Sequence, residues 1–515
     1  VDATGDTHVV KADTGVDAGS PKKDTGVDVE TVKEASTADA EKDVAEKDAE
    51  KDVAEKDAEK DVAEEKDAAE EDAPTVHDGA TDGSHDGAAG DAGSKDGASD
   101  APGDAAKDGA TDAHDSGAAG PLVQNYLMGR WDRSAVTMAN TSSGIGAVAA
   151  WPGSGVITTF TGPNITGYLN ETCNASGECD TITIEIDGVL SSAVTPAVTV
   201  TLNMAAKTGS VFTLAKGLNT ITVSGIGAGT HTIGIYKNTD SENGGTFSLA
   251  QAFTPAAAGT NPTASYTFPH HIEWLGDDVT AGTGVLGTPC GANGTDATNS
   301  IEYDSYARIV SEYFNAERHN LSLPNIGVYE SDPPMGYPLL GALYPLVLPS
   351  EAMSAWFPAS AMNLSNPSPG YVPDLVVVNI GDYGDFDNTT GGANGVLSSV
   401  TPAGFVAGYD GALETLLKNI RTNYMTAFIL VTLGPGYGGG IDPATANAVA
   451  LAAVNERLMN GETAATLAFY SPGVDGATFG GCEGRPSVDD QQAFAASIEA
   501  EIKTLLNWTP ATWTP

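Results

Sequence analysis

Positive charge is the scarcest feature of this sequence: 24 Lys and Arg stand against 69 Asp and Glu in 515 residues, a net charge of −45. A phosphate backbone needs a basic face to bind, so nucleic acid is excluded as a partner. Long apolar runs are missing as well. No stretch is long enough to cross a bilayer, and no charged-then-apolar segment opens the chain. The first residue is Val rather than Met, as expected of a processed or truncated chain whose export signal is out of view. Cysteine is rare, with four residues. They form no CxxC pair, and the histidines are not spaced as zinc ligands, so no metal and no cofactor are expected. Cys173 and Cys179 bracket a short loop, whereas Cys290 and Cys482 lie far apart. Two disulfides in an exported protein account best for the even count, and four buried thiols are the other reading.

Aromatic residues are absent from the first 120 positions, where Asp, Glu, Lys, Ala and Gly dominate. Such a segment cannot bury enough apolar surface to offset its ordering entropy, so residues 1–120 are expected to be a disordered acidic tail. From Glu41 a unit Glu-Lys-Asp-Val-Ala-Glu-Lys-Asp-Ala recurs, placing Val44, Val53 and Val62 nine residues apart. Nine helical steps end about half a turn off, so no apolar stripe forms and no coiled coil is expected. From His77 the Asp-Gly pairs read as a solvating spacer, because they lack the ligand ladder of a calcium loop.

Globular composition begins at Leu122. Strand-like runs follow at Val156 to Phe160, Ile165 to Asn170, Thr181 to Asp187, Val198 to Leu202, Val211 to Leu214, Asn219 to Val223, Thr230 to Tyr236 and Phe247 to Ala250. Ile182, Ile184 and Ile186 alternate with Thr183 and Glu185, the pattern of a half-buried strand. Short strands separated by Gly-rich turns predict an all-β sandwich or jelly roll over 121–258. Beyond a Pro/Ala/Gly stretch, apolar runs at Ile272 to Leu275, Val376 to Ile380, Phe428 to Leu433 and Leu467 to Tyr470 alternate with helical patterns. Those helices are placed at Ser305 to Phe314, Phe405 to Arg421, Ala444 to Met459 and Val488 to Leu506. The alternation predicts an α/β domain over 259–515, a parallel sheet with helices on both sides and a ligand site beyond the carboxyl ends of its strands.

Three blocks within the second domain resemble known motifs in order. Gly276-Asp277-Asp278-Val279-Thr280 resembles the opening block of SGNH (GDSL-type) hydrolases, where strand one runs into Gly-Asp-Ser-Ile-Thr. Val372 to Gly381 resembles the strand leading to their third block. Gly481-Cys482-Glu483-Gly484-Arg485-Pro486-Ser487 resembles their last block, Gly-Cys-Asp-x-His-Pro-Ser. Gly129-Arg130-Trp131-Asp132, Ala150 to Ser154 and the turn at Gly229 to Thr232 resemble the jelly roll that precedes the catalytic domain in carbohydrate esterase family 2. The resemblance runs from Leu122 to Pro515 and implies a jelly roll followed by a three-layer, flavodoxin-like SGNH domain. It also implies removal of acetyl groups from plant-type polysaccharides, by a block-one serine activated by a last-block histidine.

Carried over residue by residue, the chemistry departs from that pattern. Asp278 stands at the serine position, Arg485 at the histidine position and Glu483 at that of the accompanying aspartate. The third block reads Gly381-Asp382-Tyr383-Gly384-Asp385, with no asparagine, so Tyr383 and Gly384 occupy part of the oxyanion region. Block two falls at Leu323 to Gly327, with Asn325 or Gly327 as the remaining oxyanion candidate. His231, His270, His271 and His319 belong to the β domain or precede strands one and two, where none can serve as base. Asp278 and Arg485 are expected to form a charge-assisted pair; the other readings are drifted residues that never meet and a metal site of Asp278, Asp382, Asp385 and Glu483. Cys290 is expected to pair with Cys482, joining the block-one loop to the last block, and Cys173 with Cys179. Trp131 and Trp151 are core residues on the stronger reading and sugar platforms on the weaker one.

The leading expectation is therefore a secreted or surface-tethered, monomeric pseudo-esterase that binds polysaccharide or acetylated glycan. An active acetyl esterase using non-standard groups and a structural envelope or adhesion module are the alternatives.

Overall fold

In a computed structural model the described residues are 125–133, 145–194, 198–202, 207–208, 210–241, 243–255, 266–287, 290, 297–331, 339–349, 371–381, 385, 402–434, 443–472 and 479–513. The acidic tail and the spacer expected over 1–120 lie outside them.

Thirteen strands come first among the described residues: β1 (Tyr126–Met128), β2 (Trp131–Asp132), β3 (Val148–Ala149), β4 (Gly155–Thr161), β5 (Asn164–Thr172), β6 (Thr181–Ile186), β7 (Val189–Leu190), β8 (Thr199–Leu202), β9 (Lys207–Thr208), β10 (Val211–Thr213), β11 (Gly217–Ser224), β12 (Thr230–Lys237) and β13 (Thr246–Pro255). They form two antiparallel sheets. One has the order β1-β4-β12-β6-β10-β9, with β7 beside β6; the other runs β2-β3-β13-β5-β11-β8. Alternate residues of both sheets, among them Phe160, Ile184, Ile235, Leu169, Ile221 and Phe247, close a common core. Trp131 and Trp151 are buried to 0% and 1% exposure and so are core residues, not sugar platforms.

The second half of the chain adds β14 (His270–Gly276), α1 (Asp278–Ala281), α2 (Tyr306–Tyr313), β15 (Ala316–Ser322), α3 (Leu340–Leu343), β16 (Leu375–Asn379), α4 (Pro402–Asn423), β17 (Phe428–Thr432), α5 (Pro443–Met459), β18 (Leu467–Tyr470) and α6 (Val488–Leu506). The five strands are parallel in the order β15-β14-β16-β17-β18. Strand alternation sorts their side chains. Leu375, Val377 and Leu430 pack on α2 and α6, whereas Val376, Val378, Ile429 and Val431 pack on α4 and α5. α4 turns Phe405, Tyr409, Leu413, Leu416, Leu417 and Ile420 inward. α6 starts on a capping box between Ser487 and Asp490 and buries Phe494, Ile498 and Ile502 at helical spacing.

Two expectations need correction. β6 is buried at all six positions, not on one face only. The outer face of its sheet lies against the α/β domain, where Glu185 accepts from Tyr303 Oη at 2.6 Å and from Arg308 at 3.1 Å. The histidines do not precede their strands: His270 and His271 are the first residues of β14, and Ala316-Glu317-Arg318-His319-Asn320-Leu321-Ser322 is strand two, buried throughout. Its polar side chains hid it from a hydrophobic reading, and they are tolerated because partners meet them. Arg318, for example, places Nε 3.0 Å and Nη2 3.2 Å from the two oxygens of Glu302.

The same economy joins the two halves. Buried Arg130, which follows β1, reaches Glu273 of β14 at 3.0 Å and the carbonyls of Tyr344 and Leu346. Trp151 donates its indole N–H to Val347 O at 2.7 Å. Gly153, at φ +72°, lies so close to Glu302 that an added Cβ would stand 2.6 Å from a carboxylate oxygen.

Inside the β sandwich, buried Lys237 donates to Asp180 and to the carbonyls of Thr239 and Asp240. Glu171 sits beside them. Burial first, then the Asp180 charge, pushes its carboxyl up to about 9 against the pull of Lys237. Glu171 is therefore protonated at neutral pH. A folded pKa above the unfolded one stabilises most at low pH and loses that contribution as pH rises toward 9. In urea unfolding between pH 5 and 9, the native chain should lose stability relative to Glu171→Gln, with a slope of up to about 1.4 kcal/mol per pH unit. A pH-independent difference would contradict the assignment.

Candidate functional site

The sheet order reverses at β14, which has β15 on one side and β16 on the other. A crevice opens beyond the carboxyl ends of the strands at such a point. β14 ends there at Gly276, and Asp277 turns the chain. Its carboxylate accepts the Val279 N–H and the Gly381 N–H, each at 3.3 Å, so it caps α1 and ties the β14 and β16 loops together. The next residue, Asp278, is thereby placed at the first position of α1, with its side chain fully buried.

Asp278 meets donors on both carboxylate oxygens. Arg485 Nε donates to Oδ1 at 2.5 Å and the Asn325 backbone N–H donates to Oδ2 at 2.5 Å. Arg485 extends the network through Nη1 to Glu483 Oε2 at 2.8 Å and through Nη2 to Asn325 Oδ1 at 3.3 Å. The structure thus brings Asp278, Asn325, Glu483 and Arg485 together. Asn325 and Glu483 both adopt left-handed backbone, at φ +55° and +54°. Asn tolerates that region; Glu pays for it in strain, which the surrounding loop must hold.

Several ties hold it. Cys482 is joined to Cys290, and its N–H donates to Gly284 O at 2.8 Å. Gly481 N–H donates to Arg485 O at 2.9 Å, in a turn so tight that a Cβ on Gly481 would stand 2.4 Å from that oxygen. The loop carrying Glu483 and Arg485 is in this way fixed to the loop that follows Asp278. The other disulfide, Cys173–Cys179, closes the short loop of the β domain.

Gly327, the other block-two candidate, directs its N–H at Ser331 Oγ, at 3.1 Å, and so Asn325 is the residue facing Asp278. The loop after it is organised by Asp385. This fully buried carboxylate accepts the N–H groups of Val328, Tyr329 and Glu330 at 2.6, 2.9 and 2.6 Å. Burial pushes its carboxyl up to about 7, and the three N–H donors act against that rise. Sequence reading marked Asp385 as one acid among several and gave no sign of this anchoring role, because the donors belong to an irregular loop. Tyr383 and Gly384, with Asp382, lie outside the described residues. Asn379, at the end of β16, does not stand in for the missing asparagine at the oxyanion position: its amide nitrogen donates to Gly434 O at 2.8 Å.

Among the described residues, no histidine joins the site. His231 pairs with Asp187 at 2.8 Å in the β domain, and His270 and His271 open β14. His319 stacks on Tyr371 with ring centroids 3.5 Å apart, and burial lowers its pKa. A metal site at Asp278, Asp385 and Glu483 is not assembled among the described residues: each carboxylate faces N–H donors instead. Among the described residues, the grouping with metal-like spacing is Glu171 with Cys173 and Cys179, whose sulfurs are bonded to each other.

No family model matches the chain. The cellulase/esterase CelE of Acetivibrio thermocellus is 28% identical over 287 residues, which cover 56% of this chain and 31% of that protein. The chain therefore spans under a third of the length of this curated relative. Among solved structures, a family two carbohydrate esterase from Clostridium thermocellum in complex with cellohexaose superposes with a TM-score of 0.58 at 24% identity, covering 75% of this chain and 99% of that one. A carbohydrate esterase described as displaying divergent catalytic and non-catalytic binding functions in its active site gives 0.54 at 16% identity, covering 74% and 98%. The chain has an SGNH carbohydrate-esterase-like fold, shared with a family two carbohydrate esterase.

Asp385→Asn tests the loop anchor. An amide offers one accepting oxygen and turns an NH₂ toward donors, so the variant should lose about 2–3 kcal/mol of stability. It should also speed hydrogen exchange at Val328, Tyr329 and Glu330. Unchanged exchange at those amides would contradict the role given to Asp385.

Proposed function

We propose that this chain is an extracytoplasmic polysaccharide-binding protein, built on a carbohydrate-esterase frame in which ester hydrolysis has been lost. The observation that carries the reading is the Asp278–Arg485 pair. The resemblance puts the nucleophilic hydroxyl at 278 and its base at 485. A carboxylate held by two donors makes a poor nucleophile, and a guanidinium stays protonated and cannot take a proton. Loss of a nucleophile or its base costs on the order of 10⁶ in rate.

On this reading 121–258 is a jelly roll and 259–515 the esterase-like domain, with the acidic tail as a spacer to a surface. The chain acts as a monomer. Asp278, Arg485 and Glu483 stand in place of the serine, histidine and aspartate, and Asn325 is what remains of the oxyanion site among the described residues. Two disulfides support an oxidising, extracytoplasmic setting. Polysaccharide as the ligand is supported by the fold shared with an esterase solved in complex with cellohexaose.

Acetate release from acetylated xylan and from p-nitrophenyl acetate is the test. The native chain should stay at background. Asp278→Ser alone should stay there too, since Arg485 cannot deprotonate the new hydroxyl. Asp278→Ser with Arg485→His should regain weak turnover, held down by the missing asparagine; one oxyanion donor is worth about 10²–10³ in rate. Robust release by the native chain, abolished in Asp278→Ala, would make Asp278 a catalytic carboxylate and end this reading.

A further inference from the structure

A vestigial esterase cleft still has a ligand preference, and the geometry around Asp278 determines which one. An ester bound for hydrolysis directs its carbonyl oxygen at backbone N–H donors beside the nucleophile. Here the Asn325 N–H already has an acceptor, Asp278 Oδ2 at 2.5 Å. The other oxygen is held by Arg485 at 2.5 Å, and the Arg485 nitrogens Nη1 and Nη2 reach Glu483 and Asn325 Oδ1. Asp278 is 0% exposed and Arg485 6% exposed. For an acyl carbonyl to reach that N–H, the carboxylate would have to leave, and a buried guanidinium would lose its partner.

The rim points the same way. Glu483 lies against Arg485 with about half of its side chain exposed. An exposed carboxylate is an acceptor only. A free sugar hydroxyl can donate to it, whereas an acetylated hydroxyl has no proton to give and presents its own oxygens to a negative charge.

We propose that this cleft discriminates against acetyl esters and takes unsubstituted, neutral polysaccharide, with Asp278 occupying the acyl space and Glu483 reading a free hydroxyl. The inference rests on the reading that the cleft binds polysaccharide. It reverses the ligand preference expected of an esterase: the chain recognises what remains after acetyl groups have been removed.

Affinity electrophoresis and calorimetry of the full chain would use acetylated xylan and acetylated glucomannan, each before and after mild alkaline deacetylation. Binding should strengthen about tenfold on deacetylation, the discrimination expected when a buried or charged acceptor loses its donor. Asp278→Ala, which empties the acyl space, should reduce that ratio to about twofold or less. Glu483→Gln leaves the buried pair in place and should narrow the ratio from both sides, weakening the deacetylated arm and relieving the acetylated one, so the test survives if Asp278→Ala fails to fold. Equal binding of both forms, or tighter binding of the acetylated polymer, would overturn the inference and leave the polysaccharide-binding reading intact. Binding of neither polymer in either form would overturn both.

Discussion

A buried carboxylate must find a cation or a set of N–H donors, and in this chain cations are few. Twelve of the 24 Lys and Arg lie beyond residue 120. Of these, Arg130, Lys237, Arg308, Arg318 and Arg485 each meet a carboxylate that is itself buried, at Glu273, Asp180, Glu185, Glu302 and Asp278. Other buried carboxylates are met by other devices. Asp385 collects three backbone N–H groups, and Glu171 keeps its proton. The placement of a small number of positive charges thus governs how the acidic globular region can close around its own polar residues.

Three of these pairs also decide how the two halves meet. Arg130–Glu273 crosses from the β sandwich to the first parallel strand, Arg308–Glu185 crosses in the opposite sense, and Glu302 receives Arg318 while Gly153 of the sandwich packs against it. Ion pairs at such a junction need not add net stability over apolar packing, but removing one partner leaves an uncompensated charge. They therefore select this docking over others. β14, which leads through Asp277 into Asp278, is the strand that receives Arg130, so the candidate site is registered against the sandwich.

Much of this was legible in the sequence. Elements with a strong period were placed within a few residues: α4, α5, α6, β5 and β12 follow from apolar spacing alone. β15 escaped because its residues are polar yet buried, and β6 looked half-buried because its Thr and Glu face a domain that a local pattern cannot show. At the site, motif order was enough to expect Asp278 beside Arg485. The role of Asp385 was not legible, since a carboxylate that gathers N–H donors from a distant loop leaves no local signature. Nor could the sequence choose between Asn325 and Gly327; that depended on which backbone N–H turned toward Asp278, a matter of φ at a single residue.

On the proposed reading, Asp278 and Arg485 act as one unit, a stable pair in place of a reactive one. A double-mutant cycle measures this. Unfolding free energies of the native chain, Asp278→Asn, Arg485→Met and the double variant would be compared in urea at pH 7. Each single change should cost about 3–5 kcal/mol, because it strands a buried charge. The double variant should cost little more than either one, giving a coupling of about 2 kcal/mol or more. Additive costs, agreeing within about 0.5 kcal/mol, would show that the two residues are independent and would contradict the account.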